Sequence, residues 1–423
     1  MLSDRERGMV EKIRKKVLEK LEYDQESSDE CIQELIRQCL EEETKQDFLP
    51  YYRRVVLGKE IFYSLRKLDI LQPLLENTQI TEIMVNGTES VFIEENGSLK
   101  RLEIRFDSEE KLKNIIQQIV AKCNRVVNDM TPIVDARLED GSRVNVVLNP
   151  VALNGPSLTI RRFPKHPYSM EKLVQIGSLS SEAADFLQKL VYAGYNILVS
   201  GGTGSGKTTF LNALSGFISK DERIITIEDS AELQIQGIEN LIRMETKNAN
   251  QENGKAISIR DLIKTSLRMR PTRIIVGEVR GSEAMDMVCS AMNCGHDGSM
   301  STVHANSAED ALLRLETMIL MAAQIPISAI RQQISSGVDI IVHLGRLRDK
   351  SRRVLEIVEV SGMKQDEIQI NPLYQFVENG KKDSQNVSGE LINIGDLKHV
   401  RKLYAAGLEG EYREEKESYK NRL

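Results

Sequence analysis

One glycine-rich stretch constrains the fold of this chain more than any other feature. It reads Gly-Gly-Thr-Gly-Ser-Gly-Lys-Thr-Thr over 201–209, directly after an apolar run at 196–200 and before a helical pattern at 210–217. Glycines allow successive backbone N–H groups to turn inward at a helix N-terminus and form an anion nest. The complete motif in this strand–loop–helix context is typical of a phosphate loop. The alternative, a glycine-rich turn with a surface lysine, is disfavoured by that context.

The phosphate loop predicts that the chain binds ATP or GTP. We expect Lys207 to reach the β- and γ-phosphates and the hydroxyl of Thr208 to hold Mg²⁺. The candidate nucleotide-binding residues of the loop are Gly201, Gly202, Thr203, Gly204, Ser205, Gly206, Lys207, Thr208 and Thr209.

Composition excludes several other classes of protein. The 423 residues allow about three domains, and 28% charged with 40% hydrophobic residues fits a globular protein. A net charge of -6, 5% aromatic residues and no Trp disfavour a nucleic-acid-binding protein. No apolar run approaches the ~20 residues of a membrane-spanning helix, and we expect no cleaved signal peptide. The five Cys, an odd number, predict reduced thiols in the cytosol.

The sequence pattern divides the chain into four parts. Apolar residues at helical spacing predict a helical segment over 1–77, which is either a docking module or a bundle packed on the rest of the chain. Short strands around one helix predict a small α+β domain over 78–163. A polar stretch with prolines predicts a linker over 164–180. From 181 to 423, apolar strands alternate with helices, which predicts an α/β domain with a mostly parallel sheet and a C-terminal extension.

Individual elements follow from the same patterns. A third helix is expected at 61–75, a hairpin at Asn96-Gly97, and a half-buried strand through Leu102, Ile104 and Phe106. Strands are also predicted at 133–138, 143–148, 158–163, 196–200, 223–227, 273–277, 300–304, 338–343, 354–360 and 368–375.

Two predicted strands of the α/β segment are each followed directly by an acidic residue. Glu228 follows the strand at 223–227, which we expect to neighbour the phosphate loop, so that Glu228 polarises the attacking water or holds it through Mg²⁺. A solvated acidic loop explains this segment equally well. Glu278 ends a strand that resembles a Walker B strand, where most phosphate-loop enzymes carry Asp. We expect Glu278 to position Mg²⁺.

Basic residues and a histidine accompany these acids. Of the arginines at 268, 270, 273 and 280, at most two are expected to face phosphate, with Arg270 and Arg280 as candidates; an ordinary basic surface is the alternative. His304 ends the strand at 300–304, where it either senses the γ-phosphate or is a satisfied core histidine. Cys289, Cys294 and His296 lack a second ligand pair, so no structural metal is expected.

In combination, these segments resemble one family. GTGSGKTT, IEDSAEL, LRMRP, GEVRG, GHDGS, STVHANS and RLETM appear in the order of the Walker A, Asp box, Walker B and His box of the secretion ATPase superfamily. The resemblance covers about 78–361 and is closest to the CpaF-like ATPases of tight-adherence (Flp) pilus systems. The four-Cys zinc insertion typical of type II secretion ATPases is missing, which also favours the CpaF-like or type IV secretion branch.

The resemblance implies roles for particular residues. Glu228 matches the Asp-box glutamate, the proposed base, while Glu278 matches the Walker B glutamate and His304 the His-box histidine. These three are the candidate catalytic residues. Arg143 and Arg161 match arginines that approach the phosphates from the N-terminal domain.

The resemblance also implies a fold and a function. The fold is α/β, with a RecA-like core preceded by the α+β domain and the helical segment. A hexameric ring would use ATP and Mg²⁺ to power pilus assembly or protein secretion, closing and opening about a hinge at 164–168. It would lie at the cytoplasmic face of the membrane, on a polytopic inner-membrane platform protein. A nucleotide-gated scaffold with little turnover and, less favoured, a nucleic-acid translocase remain alternatives.

Overall fold

A computed structural model shows the protein as two compact units, residues 1–164 and 165–423. The structure describes residues 4–21, 28–44, 49–95, 97–123, 125–138, 140–162, 167–247, 255–379, 387–408, 410 and 412. Across these ranges, no helix combines the length and the apolar character that a membrane crossing requires.

The first unit begins with three packed helices. They are α1 (Asp4–Leu21), α2 (Asp29–Glu43) and α3 (Tyr51–Arg66), followed by a 3₁₀ turn (Asp69–Leu71) and α4 (Gln72–Glu76). The predicted helix at 61–75 is wrong at both ends, because α3 starts at Tyr51 and ends at Arg66. Tyr51, Tyr52 and Val55 are exposed at its start, so no one-sided apolar pattern marks that turn.

A six-stranded sheet completes the first unit. Its elements are β1 (Ile80–Asn86), β2 (Ser90–Glu95), β3 (Ser98–Leu102), α5 (Glu109–Lys122), β4 (Ile133–Arg137), β5 (Arg143–Val147) and β6 (Ser157–Arg161). The strand order is β3-β2-β1-β6-β5-β4 with antiparallel pairing throughout, and α5 contributes Ile116 and Ile119 to its core. The hairpin at 96–97 is confirmed, although Asn96 itself lies outside the described residues. The strand expected through Phe106 ends at Leu102.

The second unit is built on a nine-stranded sheet. Its helices are α6 (Met170–Gln175), α7 (Ser181–Tyr192), α8 (Lys207–Ser215), α9 (Ile259–Ser266), α10 (Glu283–Asp286) with a π-helix (Met287–Met292), α11 (Ala308–Ala322), α12 (Ile327–Gly337) and α13 (Arg401–Ala405). Its strands are β7 (Ile197–Gly201), β8 (Ile224–Glu228), β9 (Leu241–Glu245), β10 (Arg273–Val279), β11 (Met300–His304), β12 (Ile340–Arg346), β13 (Arg352–Lys364), β14 (Glu367–Glu378) and β15 (Gly389–Asn393).

The sheet confirms the predicted α/β class. Its order is β15-β14-β13-β12-β7-β11-β10-β8-β9, in which the strands from β12 to β9 pair in parallel and β13, β14 and β15 add antiparallel pairs. The predicted strands of this unit are present, the one at 300–304 with the predicted bounds and the others with shifted ends, whereas β9 and β15 were not predicted. The segment predicted as a linker, 164–180, is described from 167 onward and contains α6. Residues 163–166 lie outside the described residues.

One expectation about strand order is wrong. β8, which ends in Glu228, was expected beside the strand of the phosphate loop, but β10 and β11 separate it from β7. Strand order depends on crossover connections, which local sequence does not reveal. The direct neighbours of β7 are β11 and β12.

The buried side chain of Asn196 ties four elements together at the start of β7. Its Nδ2 donates to the carbonyl oxygens of Met292 (3.0 Å) and Gly337 (2.8 Å), and its Oδ1 accepts from the backbone N–H groups of Gly298 and Ser299, both at 3.0 Å. With 1% exposure, the side chain therefore meets its full hydrogen-bonding capacity away from water.

Replacing Asn196 by Ala is expected to lower the free energy of unfolding by at least about 3 kcal/mol, because four buried backbone groups lose their partner. Urea denaturation of the two proteins measures the change. The matched control is Asn379→Ala, since Asn379 is exposed in the same unit. Equal losses in the two variants would contradict the assigned role of Asn196.

Candidate functional site

The phosphate loop joins β7 to α8 in a conformation that only glycine adopts easily. Gly204 and Gly206 have φ of 70° and 93°. At Gly201, whose φ is 153°, an added Cβ would lie 2.4 Å from the carbonyl oxygen of Leu344 and 2.6 Å from Ser205 Oγ. α8 begins at Lys207 rather than at the predicted 210, so the loop leads directly into a helix N-terminus.

Lys207 is buried inside this loop. Its Nζ donates to the carbonyl oxygens of Gly201 at 2.9 Å and Gly202 at 3.0 Å, and it lies 3.5 Å from His304 Nε2. Burial lowers the pKa of Lys207, while nearby Glu278 raises it. Thr208 and Thr209 follow in the first turn of α8 and are half-buried.

Glu278 and His304 meet at the carboxyl ends of β10 and β11. His304 Nε2 lies 3.0 Å from Glu278 Oε1, and Arg280 Nε donates to Glu278 Oε2 at 2.6 Å. The register pairs His304 with Gly201, which puts the histidine beside the loop. Burial and the charge of Lys207 lower the pKa of His304, so the neutral ring is favoured. The structure thus brings Lys207, Glu278 and His304 together.

The residues expected to hold Mg²⁺ have the donor chemistry for it. Glu278 Oε1 is buried, and His304 Nε2 lies 3.0 Å from it. Carboxylate and hydroxyl oxygens are the hard ligands that Mg²⁺ prefers, and Thr208 supplies a hydroxyl from the end of the same loop. Within the described ranges, no group of three or more His, Cys, Asp or Glu side chains converges on a common point.

Glu228 is a buried carboxylate and not part of a solvated loop. Its side chain is 3% exposed, and Oε1 accepts from the backbone N–H groups of Glu232 and Leu233, both at 2.8 Å. Oε2 is buried and has no hydrogen-bond partner in the described parts of the chain. Burial raises the pKa of Glu228 to about 7, against the two backbone hydrogen bonds that lower it.

Gly277 makes room for this carboxylate, a role that the sequence did not reveal. A Cβ on Gly277 would lie 2.9 Å from Glu228 Cγ and 3.3 Å from Glu228 Oε1. Thr302 Oγ1 donates to the carbonyl oxygen of Gly277 at 2.7 Å and holds the strand at this point. The glycine before Glu278 therefore provides the space in which Glu228 lies.

The arginines of this segment separate into two groups. Arg280 reaches the site, where it contacts Glu278 and lies 3.5 Å from Asp229. Arg270 lies three residues before β10, at the opposite end of that strand from Glu278; the 7 residues of β10 span about 20 Å at ~3.3 Å per residue. The structure therefore does not bring Arg270 to the phosphate loop of its own chain, and a phosphate-facing role for Arg270 stays a prediction. Arg273 is buried in a bidentate pair with Glu222 and is structural.

Arg143 and Arg161 belong to the first unit. They pair directly across β5 and β6, so their side chains share one face of that sheet. Arg161 also pairs with Glu82 of β1, whose pKa is raised by burial and lowered by the arginine. The structure places the two arginines together, and their approach to phosphate stays a prediction.

The sequence analysis also missed residues of the neighbouring strand β12 and its hairpin with β13. Ser200 Oγ lies 2.9 Å from His343 Nδ1, and burial lowers the pKa of His343. Arg352 Nε donates to the carbonyl oxygen of Gly204 at 2.9 Å. The sequence signal that marks this hairpin is a run of basic residues that was not used: Arg346, Arg348, Arg352 and Arg353.

Comparison with known proteins identifies the family. The model of the family described as Type II/IV secretion system protein matches residues 64–392. The chain belongs to this family. The family member PtlH of Bordetella pertussis, a type IV secretion system protein, is 34% identical over 316 residues, covering 69% of this chain and 93% of PtlH. The conjugal transfer protein TrbB of Rhizobium radiobacter is 31% identical over 313 residues, covering 73% and 93%.

A solved structure shares the fold. The pilus retraction motor PilT with bound ADP aligns with a TM-score of 0.50 and 20% identity, covering 82% of this chain and 89% of PilT. The second unit accordingly has a RecA-like core. As a member of the Type II/IV secretion system protein family, the chain is an enzyme of the P-loop ATPase class.

Ionisation of Glu228 is expected to lower the free energy of unfolding of this ATPase as pH rises. The pKa of its carboxyl rises from 4.5 to about 7 on folding, so the folded state is stabilised when the carboxyl is protonated. This stabilisation is fully present below about pH 4.5 and is lost as pH rises through 7. Glu228→Gln removes this loss. Relative to wild type, the variant should gain up to about 3 kcal/mol of unfolding free energy between pH 4.5 and 8.

Urea denaturation of both proteins at several pH values measures this difference. The matched control is Glu239→Gln, which changes an exposed carboxylate of the same unit. A pH-independent difference between Glu228→Gln and wild type would show that Glu228 ionises as in the unfolded chain.

Proposed function

We propose that this chain is a hexameric motor that hydrolyses Mg-ATP to power pilus assembly or protein secretion. The proposal rests on one observation: Lys207, Glu278 and His304 meet at the carboxyl ends of the parallel strands, and the buried carboxylate of Glu228 lies next to Gly277. This set contains a phosphate-binding cation, metal-binding oxygens and a carboxylate whose pKa is near neutral. Those are the groups that phosphoryl transfer to water requires.

Lys207 supplies the phosphate-binding step. In the structure its ammonium group donates to the carbonyl oxygens of Gly201 and Gly202. The phosphate oxygens of ATP are stronger acceptors and would replace them. The backbone N–H groups of the loop and the N-terminus of α8 add to the attraction. Because Lys207 is buried, its charge acts on the phosphates with little screening by water.

Glu228 is the proposed general base. A carboxylate with a pKa of about 7 is half ionised near neutral pH, and it accepts a proton from water more readily than an ordinary glutamate does. Its Oε2 is the free oxygen for that proton, since Oε1 is held by the N–H groups of Glu232 and Leu233. Mg²⁺ held by Thr208 and Glu278 would neutralise charge that develops on the phosphate oxygens.

His304 and Arg280 complete the proposed set. The neutral ring of His304 lies between Lys207 and Glu278, so a change at either group alters its hydrogen bonding. Arg280 binds Glu278 and lies near Asp229, which fixes the Walker B carboxylate on one side. We assign His304 to sensing the γ-phosphate and Arg280 to a phosphate-facing role.

The remaining features of the motor rest on the family resemblance. Arg143 and Arg161 would approach the nucleotide when the ring closes about the hinge at 164–168, which includes residues outside the described part of the chain. The motifs favour the CpaF-like branch that serves tight-adherence pili. The partner would be a polytopic inner-membrane platform protein, and the chain would work at the cytoplasmic face of the membrane.

Steady-state hydrolysis of Mg-ATP over a wide range of protein concentrations tests the proposal. Turnover per protomer should rise with concentration as rings assemble, and Lys207→Ala should abolish it. Glu228→Gln should lower kcat by about 10² to 10⁴ while ATP still binds, because only the proton-accepting step is lost. Glu239→Gln is the matched control and should leave kcat unchanged.

Two results would contradict the motor. A flat rate equal to that of Lys207→Ala, despite measurable ATP binding, would favour a nucleotide-gated scaffold. Salt-sensitive binding of DNA or RNA that stimulates hydrolysis would favour a nucleic-acid translocase.

A further inference from the structure

The hairpin between β12 and β13 contacts the phosphate loop from outside. Arg352 Nε donates to the carbonyl oxygen of Gly204 at 2.9 Å. The contact continues along the side chain, because a Cβ on Gly206 would lie 3.5 Å from Arg352 Cδ. Arg346, which pairs with Arg352 across the two strands, brings a guanidinium nitrogen to 3.9 Å from the corresponding position at Gly204.

The contact from Arg352 affects the orientation of the peptide group between Gly204 and Ser205. In a trans peptide the carbonyl and the following N–H point in opposite directions. While Arg352 holds the Gly204 carbonyl, the N–H of Ser205 points the opposite way, and among the described residues it makes a long bond of 3.4 Å to the carbonyl oxygen of Gly202. An N–H in that orientation is available to a phosphate oxygen.

Gly204 has no side chain to hold this orientation by itself. Glycine adopts left- and right-handed conformations with similar ease, so a loop of glycines loses much backbone entropy when one conformation is fixed. An external hydrogen bond that fixes one peptide reduces the entropy that nucleotide binding must otherwise offset.

The hairpin is itself held rigidly enough to serve as an anchor. Asp349 Oδ1 accepts from the N–H of Ser351 at 2.9 Å and from its hydroxyl at 2.6 Å, which fixes the turn. The backbone oxygen of Arg352 accepts from Ser178 Oγ at 2.9 Å, and the N–H of Val354 donates to the carbonyl oxygen of Ser178 at 2.8 Å. The position of Arg352 is thus fixed from both sides of its strand.

We propose that Arg352 is a positioning residue for nucleotide binding, which acts by holding the Gly204–Ser205 peptide in its phosphate-binding orientation. The proposal rests on the proposed nucleotide site. It assigns the effect to the hydrogen bond from Nε and not to the charge of the guanidinium.

Two substitutions of equal length separate the hydrogen bond from the charge. In Arg352→Gln, the side-chain Nε2 takes the place of Arg352 Nε and keeps a donor without a charge. In Arg352→Met, a methyl group takes that place, so both donor and charge are lost. Arg348→Met is the matched control, because Arg348 belongs to the same hairpin and its guanidinium pairs with Glu378.

The experiment measures the equilibrium binding of a fluorescent ATP analogue with Mg²⁺ to the full chain. Arg352→Met should weaken binding about tenfold, as expected for the loss of one hydrogen bond. Arg352→Gln should stay within about threefold of wild type, and Arg348→Met should be unchanged. Melting temperatures within a few degrees of wild type would establish that each variant is folded.

Two outcomes would overturn the proposal. Wild-type affinity in Arg352→Met would show that the contact has no role. Equal weakening in Arg352→Gln and Arg352→Met would assign the effect to charge. If the wild-type chain fails to bind nucleotide, the proposed function falls together with this inference. If it binds nucleotide without turnover, the motor falls, and the affinities of the variants still decide the role of Arg352.

Discussion

The hydrogen bonding of β7 on both sides is the constraint on which the site depends. β11 and β12 pair with it in parallel, and the register sets Gly201 opposite His304 on one side and opposite Leu344 on the other. The carbonyl oxygen of Leu344 leaves no space for a side chain at Gly201, so the chain must turn there without one. The backbone hydrogen bonds of β7 thereby set the loop, the histidine and strand β12 relative to one another.

Glu228 shows how the protein maintains an unfavourable group at this edge. Burying a carboxylate is costly, and the two N–H groups that bind Oε1 offset only part of the cost, as the raised pKa indicates. An apolar residue would be more stable at this position. Gly277 adds a second cost, because glycine in a strand packs no side chain. A buried carboxylate and a strand glycine at the same place both cost stability, which is typical of a functional site.

The sequence was sufficient for the parts of the fold that depend on local pattern. The phosphate loop, its flanking strand and helix, and the parallel strands of the α/β unit follow from glycine spacing and apolar runs. Strand order does not, because Glu228 and Lys207 are brought to one edge by crossovers whose path no local pattern specifies. Arg270 illustrates the same difficulty: its motif lies next to the Walker B strand in sequence, but at the other end of that strand in space. Gly277 and Arg352 contact residues that are far away in the chain, so only the folded structure reveals these contacts.

The charges at the sheet edge explain why the proposed base needs its neighbours. A triphosphate with Mg²⁺ brings about two negative charges, and such charges raise the pKa of a nearby carboxylate. Glu228 already has a pKa of about 7, and a further rise would leave it protonated and unable to accept a proton at neutral pH. Arg243 acts in the opposite direction, because a cation near the carboxylate favours its ionised form. Arg243 thus helps to keep the base ionised while the nucleotide is bound. A site with the carboxylate alone would lose its base on binding the substrate.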